Sequence, residues 1–370
     1  RTKAIDLGIL KIVNVFKGKE ILVLPILMFM FSIGGATFGM SEEAIAFVAV
    51  LMPLVLALGY DSIVAVAITY LACNLGFSAA MLNPFTVGIA QSIAGIQLYS
   101  GVEFRTLVWF VSTLVGCGFV MFYAMKIKKN PELSPMFEHD QVKREKLKST
   151  ESEHTEFTLR HKIIIAALFT SIALVVYGVL KLEFWIPQIA AVFLGLGIIS
   201  GLVGKLAPNE IAEAFTDGAK DMIGAAIMIG LAKSVMIIAQ NANIIDTILF
   251  NLANVVGQLP SLIASYIMFV IQMFINFFVS SGSGQAALTM PILAPLGDLV
   301  GISRQLSVLI YQLGDGFSNA MFPTSGVLIA CLGMAGVPYG KWLKWILPLQ
   351  AILFMTAIVF ITIASLIGWA

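Results

Sequence analysis

The chain has 370 residues, of which 59% are hydrophobic and 12% are charged, and its mean hydropathy is +0.95. A soluble domain usually carries about twice that fraction of charge, so the composition indicates a polytopic membrane protein. The formal net charge of +1 gives no reason to expect nucleic acid or another strongly charged partner. The three cysteines lie in apolar runs without the spacing of a metal site or redox motif.

The first part of the chain predicts a short helix, a re-entrant hairpin and a broken crossing. Residues 1–19 are basic and amphipathic, which indicates a cytoplasmic helix rather than a signal peptide. In 20–58, apolar runs of about 14–18 residues flank the small-residue break SIGGATFGMSEE (32–43) and are short for full spans. Open backbone inside a membrane needs protein or a water-filled cavity around it, so this pattern predicts a hairpin open to the cytoplasm. Residues 61–97 predict one crossing interrupted near Pro84.

Basic residues then set the orientation of the remaining spans. The segment 126–162, between the spans predicted at about 104–125 and 163–181, is dense in Lys, Arg and Glu, which predicts a solvated cytoplasmic linker. Residues 234–303 contain no Lys or Arg, so that stretch is predicted to face the outside. Apolar runs of spanning length lie at about 104–125, 163–181, 184–203, 221–240 and 345–369.

Two parts of the chain resemble each other. IDLGILKIVNVFKG (5–18) matches IDTILFNLANVVG (245–257), and GFSAAMLNPFTVGIA from Gly76 matches GFSNAMFPTSGVLIA from Gly316. One copy begins in the predicted cytoplasmic segment and the other in the predicted external one, so the copies are inverted. Inverted repeats with interrupted helices are typical of secondary transporters whose site lies near the bilayer midplane.

The second copy predicts a second hairpin at about 262–298, open to the outside, and a second broken crossing at 304–337 near Pro323. Gly76 and Gly316 are predicted to loosen the backbone upstream of the two prolines. Little chain precedes the first copy, whereas roughly 80 residues precede the second, so we expect further N-terminal membrane helices in the natural protein.

The four breaks are predicted to converge on one binding site. Free carbonyl groups at a half-helix end suit a cation, and free N–H groups at a helix N-terminus suit a carboxylate. Asp315 lies within a predicted crossing and is interpreted as a coupling-ion or proton site, since intramembrane acids are costly and usually functional. Glu42 and Glu43 have either that role or a capping role at the return arm of the first hairpin. For a single serine, close helix packing is the alternative.

Four long motifs resemble the YfcC family: SGSGQAALTMPILAPLGDLVG, GDGFSNAMFPTSGVLIACLGMAGVPYGKWLKW, FSIGGATFGMSEE and GFSAAMLNPFTVGIAQSIAG. That family belongs with the DcuC-like anaerobic C4-dicarboxylate carriers in the ion transporter superfamily. The resemblance implies a homodimer in the bacterial inner membrane that works by an elevator motion of a transport domain against a scaffold. It implies that substrate and Na⁺ bind at the hairpin tips and breaks, through Gly35, Thr37, Asn83, Thr86, Ser281, Ser283, Gly284, Asn319, Thr324 and Ser325.

The predicted fold class is an all-α polytopic membrane protein with inverted repeats, two re-entrant hairpins and two broken helices. The predicted domains are a cytoplasmic helix (1–19), transport repeat 1 (20–97), a scaffold helix (98–126), a cytoplasmic linker (127–162), scaffold and amphipathic helices (163–258), transport repeat 2 (259–338) and a C-terminal scaffold helix (339–370).

The predicted function is secondary active transport of a small carboxylate-bearing metabolite, such as an amino acid or a C4-dicarboxylate, coupled to Na⁺ or H⁺ and without a cofactor. Members of the resembled family are often labelled basic amino-acid antiporters, so an exchanger without Na⁺ coupling is the main alternative, and a passive channel is a weaker one. An enzyme is not expected, because the sequence has no HExxH, GxSxG or Walker motif. The expected partners are a small-molecule substrate, membrane lipid and a second copy of the chain.

Overall fold

The described part of the chain is helical. Its regular structure consists of α-helices with short 3₁₀ and π-helical turns. The helix predicted at 1–19 and the repeat anchors at 5–18 and 245–257 fall wholly or mostly outside the described residues. The computed structural model describes residues 20–152, 158–182, 186–242 and 256–370, together with the single residues 2, 4 and 247.

Two interrupted pairs of helices form the first part of the fold. Helices α1 (Val23–Thr37) and α2 (Ala44–Ala57) are joined by a break at 38–43. Helix α3 (Ser62–Ser78) leads through a second break and a π-helical turn (Pro84–Gly88) into α4 (Ile89–Ala94). At 1.5 Å per residue, the 15 residues of α1 reach about 22 Å, short of a hydrocarbon core of about 30 Å. These helices lie where the hairpin and broken crossing were predicted.

The middle of the chain contributes longer helices. Helix α5 has 28 residues and is apolar enough to cross a membrane, with three lysines in its last turn and Arg105 in its first. The bounds are α5 (Val102–Lys129), α6 (Phe137–Ser152), α7 (Leu159–Lys181), α8 (Ile186–Val203) and α9 (Pro208–Asn241).

The last part again contains two pairs of helices, each interrupted by a break. Two helices flank a break at 279–281, and two more flank a break at 320–325. Among the described residues, the helices long and apolar enough to span a membrane are α5, α10 and α14. The bounds are α10 (Ser261–Phe278), α11 (Gly282–Leu299), α12 (Arg304–Asn319), α13 (Gly326–Ala335) and α14 (Tyr339–Leu366).

The contacts of these two sets correspond. Helix α1 packs on α3, and α10 packs on α12. Helix α2 packs on α13, α11 packs on α4, and α3 packs on α12. Helix α5 lies on α1 and α3, and α14 lies on α10 and α12. Helices α7 and α8 pack on each other, and α9 runs along α13.

Glycines allow the backbones at the centre to approach closely. A Cβ on Gly76 would lie 1.8 Å from the carbonyl oxygen of Ser32, and one on Gly316 would lie 2.3 Å from the Cα of Ser78. Both glycines lie within regular helix. The prediction that they loosen the backbone is therefore wrong: each is a point of close contact between two helices.

The segment 127–162, predicted as a solvated linker, is in part packed against the membrane helices. It contains α6, and Asp140 within it is only 1% exposed. The Asp140 carboxylate accepts hydrogen bonds from the backbone N–H and the hydroxyl of Ser62, at 2.7 and 2.6 Å. Lys143 donates to Asp140 at 2.7 Å and to the carbonyl of Ala335 at 2.9 Å. The linker thereby joins the start of α3 to the end of α13.

Candidate functional site

The tip of the second hairpin is held against α12. Ser281 is the N-cap of α11, and its hydroxyl accepts the backbone N–H of Gly284 at 3.3 Å. The hydroxyl of Tyr311 donates to the carbonyl of Gly282 at 2.5 Å. A serine N-cap satisfies a free N–H of the first helical turn, which explains why α11 begins at this position.

Asn276, near the end of α10, binds the end of α12. Its side-chain NH₂ donates to the carbonyl of Asp315 at 2.8 Å, to the hydroxyl of Ser318 at 2.8 Å and to the side-chain oxygen of Asn319 at 2.9 Å. Asn276 is fully buried. These bonds place the end of the hairpin's entering arm beside the break between α12 and α13.

The break after α12 is also tied to the hairpin and to α3. The hydroxyl of Ser280 donates to the carbonyl of Thr324 at 2.6 Å. Ser325 is the N-cap of α13. The hydroxyl of Tyr70, from the π-helical turn of α3, lies 3.0 Å from the carbonyl of Asn319 and 3.4 Å from the Ser325 hydroxyl. The predicted residues Asn319, Thr324 and Ser325 therefore lie together at one break.

Asp315 is the charged group at this junction. Its side chain is fully buried, and neither carboxylate oxygen has a hydrogen-bond partner among the described residues. A Cβ on Gly282 would lie 3.4 Å from Asp315 Oδ2 and 2.6 Å from Thr86 Cγ2. The hydroxyls of Thr86 and Thr324 are likewise buried and without a partner in the described part of the chain. A buried carboxylate without donors needs a proton or a cation nearby.

The first hairpin and the first broken helix meet at Asn83. This residue is fully buried and is the N-cap of the π-helical turn, where its side-chain oxygen accepts the N–H of Phe85 at 2.9 Å. A Cβ on Gly39, in the first hairpin's break, would lie 2.7 Å from the same oxygen. Thr86 follows three residues later and lies beside Gly282. Contacts thus connect the break at 38–43 with Asn83 and connect Thr86 with the second hairpin tip, and the Ser280–Thr324 hydrogen bond connects that tip with the break at 320–325.

Two predicted site residues, Gly35 and Thr37, make contacts within or between helices α1 and α3. Gly35 lies inside α1, where a Cβ would be 2.1 Å from the carbonyl oxygen of Cys73. The Thr37 hydroxyl donates to the carbonyl one turn earlier, Ile33, at 2.7 Å. The assignment of both residues to the substrate site stays a prediction.

The two adjacent glutamates differ in their surroundings. Glu43 occupies the N-cap position of α2, but its side chain makes no capping hydrogen bond to the helix. Its carboxylate instead accepts the backbone N–H of Ser41, in the preceding break, at 3.1 Å. Glu42 is exposed, and Ser283, at the second hairpin tip, is partly exposed.

The sequence analysis did not single out Tyr70, Asn276 or the hydrogen-bonded pair Gln272 and Gln285. The amide of Gln285 donates to the side-chain oxygen of Gln272 at 2.9 Å, so the pair bridges the two arms of the second hairpin. Each is a polar side chain inside an apolar run, and that position was the available signal.

Comparisons with known proteins identify relatives over the full length. The family model described as DcuC, C4-dicarboxylate anaerobic carrier, matches residues 1–366. An Escherichia coli (strain K12) protein described as "Putative basic amino acid antiporter YfcC" is 43% identical over 380 residues, covering 100% of this chain and 75% of the relative. An uncharacterised protein of Haemophilus influenzae (strain Rd) is 34% identical over 357 residues, covering 96% of this chain and 70% of the relative.

A solved structure shares the fold. The crystal structure of the Alcanivorax borkumensis YdaH transporter aligns with a TM-score of 0.51 and 16% sequence identity, covering 100% of this chain and 82% of that one. At this identity the likeness concerns the fold alone. It shows that the arrangement of helices described above occurs in a membrane transporter.

Proposed function

We propose, on the premise that the chain belongs to the DcuC family of C4-dicarboxylate anaerobic carriers, that it is a secondary active transporter of a small carboxylate-bearing metabolite. The family and the structural neighbour indicate an integral membrane transporter, a carrier rather than an enzyme. The proposal adds substrate class, ion coupling and mechanism to that statement.

The observation that carries the proposal is the environment of Asp315. Its carboxylate is fully buried at the junction of a hairpin tip and a helix break, without a hydrogen-bond donor among the described residues. Such a group is stable in a membrane only when it takes up a proton or a cation. We assign Asp315 the role of coupling site for Na⁺ or H⁺, with the hydroxyls of Thr86 and Thr324 as additional oxygen ligands.

Two helix N-termini provide the complementary charge for a substrate carboxylate. Helix α11 begins at the second hairpin tip, and helix α13 begins after the break at 320–325. The positive end of a helix dipole attracts anions. The residues proposed to line the substrate site are those predicted at the breaks. They are Asn83 and Thr86 in the first copy, and Ser281, Ser283, Gly284, Asn319, Thr324 and Ser325 in the second.

The mechanism we propose is an elevator motion of inverted repeats in a homodimer in the bacterial inner membrane. The correspondence of α1–α5 with α10–α14 in their contacts supports the repeat. Exposed apolar side chains on α5, such as Leu107, Phe110 and Phe122, provide surface for lipid or for a second copy. The proposed cytoplasmic side is that of the linker, where α6 binds the ends of α3 and α13.

A second candidate is exchange of basic amino acids without Na⁺. The unpaired Asp315 carboxylate favours it, because a cationic side chain would provide the missing partner as well as Na⁺ would. The name of the Escherichia coli relative agrees with this candidate. In that case Asp315 binds the substrate itself rather than a coupling ion.

Transport in proteoliposomes tests both candidates. Labelled dicarboxylates, neutral amino acids and basic amino acids are each supplied with a Na⁺ gradient, a proton gradient or no gradient. We expect one class to accumulate above its external concentration, and Asp315→Asn to abolish that accumulation. The matched control is Asp298→Asn, the same change at an exposed aspartate that is paired with Arg304. Uptake that only equilibrates, in every gradient, would indicate a channel and contradict the proposal.

A further inference from the structure

Arg105 is a buried cation at the end of α5 opposite its basic terminus. It lies in the first turn of the helix and is only 1% exposed. Its guanidinium carbon lies 5.4 Å from the ring centroid of Trp369, and Nη2 donates to the side-chain oxygen of Gln305 at 3.4 Å. The Nε and Nη1 atoms have no hydrogen-bond partner in the described part of the chain.

The described residues contain no ion pair that neutralises this charge. The ion pairs among these residues join Lys143 with Asp140, Lys220 with Asp217 and Arg304 with Asp298. An arginine side chain does not lose its proton in proteins, and a buried charge without a partner is strongly unfavourable. Arg105 therefore needs an anion that these residues do not supply.

Two helix N-termini add positive potential at the same place. Helix α5 has 28 residues and begins at Val102, three residues before Arg105. Helix α12 has 16 residues and begins at Arg304, so Gln305 lies in its first turn. The guanidinium contacts Gln305 and thus lies between both positive helix ends, a combination that favours an anion.

Buried amide groups complete the surroundings. The side-chain oxygen of Gln305 accepts from Arg105 and also from Gln91 Nε2 at 3.3 Å, and Gln91 Nε2 donates to the carbonyl of Ser100 at 3.0 Å. Gln91 is fully buried and Gln305 is 4% exposed. These contacts hold the guanidinium in one position.

We propose that Arg105, with the N-termini of α5 and α12, forms a binding site for a small anion, either a halide such as chloride or the carboxylate of a small metabolite. The site is separate from Asp315. On α12, Asp315 lies ten residues after Gln305, which is about 15 Å along the helix axis. The proposal is independent of the proposed transport cycle. Bound anion joins α5, α12 and the C-terminal Trp369, so folding stability depends on the anion present.

Thermal unfolding of the purified protein in different sodium salts tests the site. Sodium is kept constant, and gluconate, a large anion, is replaced stepwise by chloride in one series and by acetate in another. Ligands that bind the folded state raise its apparent stability by mass action. We expect the unfolding midpoint of the wild-type protein to rise saturably with chloride, acetate or both, and the series that responds identifies the ligand.

Arg105→Gln removes the charge that the anion would neutralise. In gluconate we expect this variant to be at least as stable as the wild-type protein, because an unpaired buried cation has been removed. In the stabilising anion we expect the variant to be less stable than the wild-type protein, and its unfolding midpoint should show no saturable rise with anion concentration. The matched control, Arg160→Gln, makes the same change at an exposed arginine of α7 and should keep the wild-type response.

Three results would overturn the proposal. One is a wild-type midpoint that ignores both chloride and acetate. Another is an anion response that Arg105→Gln retains. The last is equal destabilisation of Arg105→Gln in gluconate and in the responding anion, which would make Arg105 a structural contact only. If Arg105→Gln does not fold, Arg105→Lys is used: a several-fold higher anion concentration at half-maximal stabilisation supports the site, and an unchanged one contradicts it.

Discussion

Replacing Asn276 with aspartate is expected to weaken the junction between the second hairpin and the broken helix that follows it. The two side chains have the same shape, so the change is chemical rather than steric. The amide NH₂ donates to the carbonyl of Asp315, the hydroxyl of Ser318 and the side-chain oxygen of Asn319, at 2.8, 2.8 and 2.9 Å. An ionised aspartate has no donor, and its oxygens would face these acceptors.

The magnitude follows mainly from the new carboxylate, which is fully buried at this position. Ser318 keeps its own donation to the carbonyl of Gly314 at 2.7 Å, and the Asp315 carbonyl keeps the Ser318 hydroxyl as a donor at 3.2 Å. The bond to Asn319 is only partly buried. A buried group left without a partner costs about 1–3 kcal/mol, and more when it is charged. The expected loss is therefore about 3 kcal/mol or more. With the usual unfolding entropy per residue, this corresponds to a midpoint lower by about 4 °C for a chain of this length.

Thermal unfolding of the detergent-purified variant measures this loss. The matched control is Asn130→Asp, the same chemical change at an exposed position, for which we expect a shift within about 0.5 kcal/mol. Transport by Asn276→Asp should fall together with stability, because the break is no longer held against the hairpin. A midpoint equal to that of Asn130→Asp would refute the reasoning, since the three hydrogen bonds would then not stabilise the junction.

Two further changes test the packing around the site. Gly76→Ala places a Cβ 1.8 Å from the backbone oxygen of Ser32, so we expect about 3 kcal/mol of destabilisation in thermal unfolding, whereas Gly118→Ala, with open space around it, should be neutral or slightly stabilising. Similar midpoints for the two alanine variants would contradict the close contact of α1 with α3. Asp140→Ala should lower the free energy of unfolding by about 2 kcal/mol and speed limited proteolysis of the linker, because it removes the buried partner of Lys143. Unchanged proteolysis would show that this contact does not hold the linker.

The positions of the helix breaks could be predicted from local chemistry. Proline disfavours helix at the residue before it, and together with small polar residues it marks the break near Pro323 in the sequence. Proline alone is not enough, because some prolines lie inside helices, namely Pro53, Pro291, Pro295 and Pro348. In the structure α12 ends at Asn319 and α13 begins after its N-cap Ser325. The same rule located the break between α3 and α4, where Asn83 precedes Pro84 and is the N-cap of the π-helical turn.

Packing partners could not be predicted in this way, because nothing local says which helix lies opposite a residue. Gly76 was assigned to backbone flexibility, yet it lets α1 approach α3, and Gly35 makes a close contact of the same kind that the sequence did not reveal. Asp140 was placed in a solvated linker because its neighbours in sequence are charged. Its burial depends on the N–H and hydroxyl of Ser62, which are distant in sequence.

Charged and amide side chains inside apolar runs were a signal that the sequence analysis used only for Asp315. The same rule, that polar groups inside a membrane protein need partners, applies to Arg105 and Asn276. Both are fully or almost fully buried and both contact α12. Their roles depend on three-dimensional neighbours, which is why position alone does not define them.

A cryo-EM map of the protein with a substrate identified in the transport assay tests the central claim most directly. The account predicts ligand density between the second hairpin tip and the break at 320–325, bordered by Gly282, Asp315 and Thr86. It also predicts that this density is lost in Asp315→Asn under the same conditions. Ligand density elsewhere, with the space beside Asp315 unchanged from the substrate-free map, would contradict the assignment of this junction as the transport site.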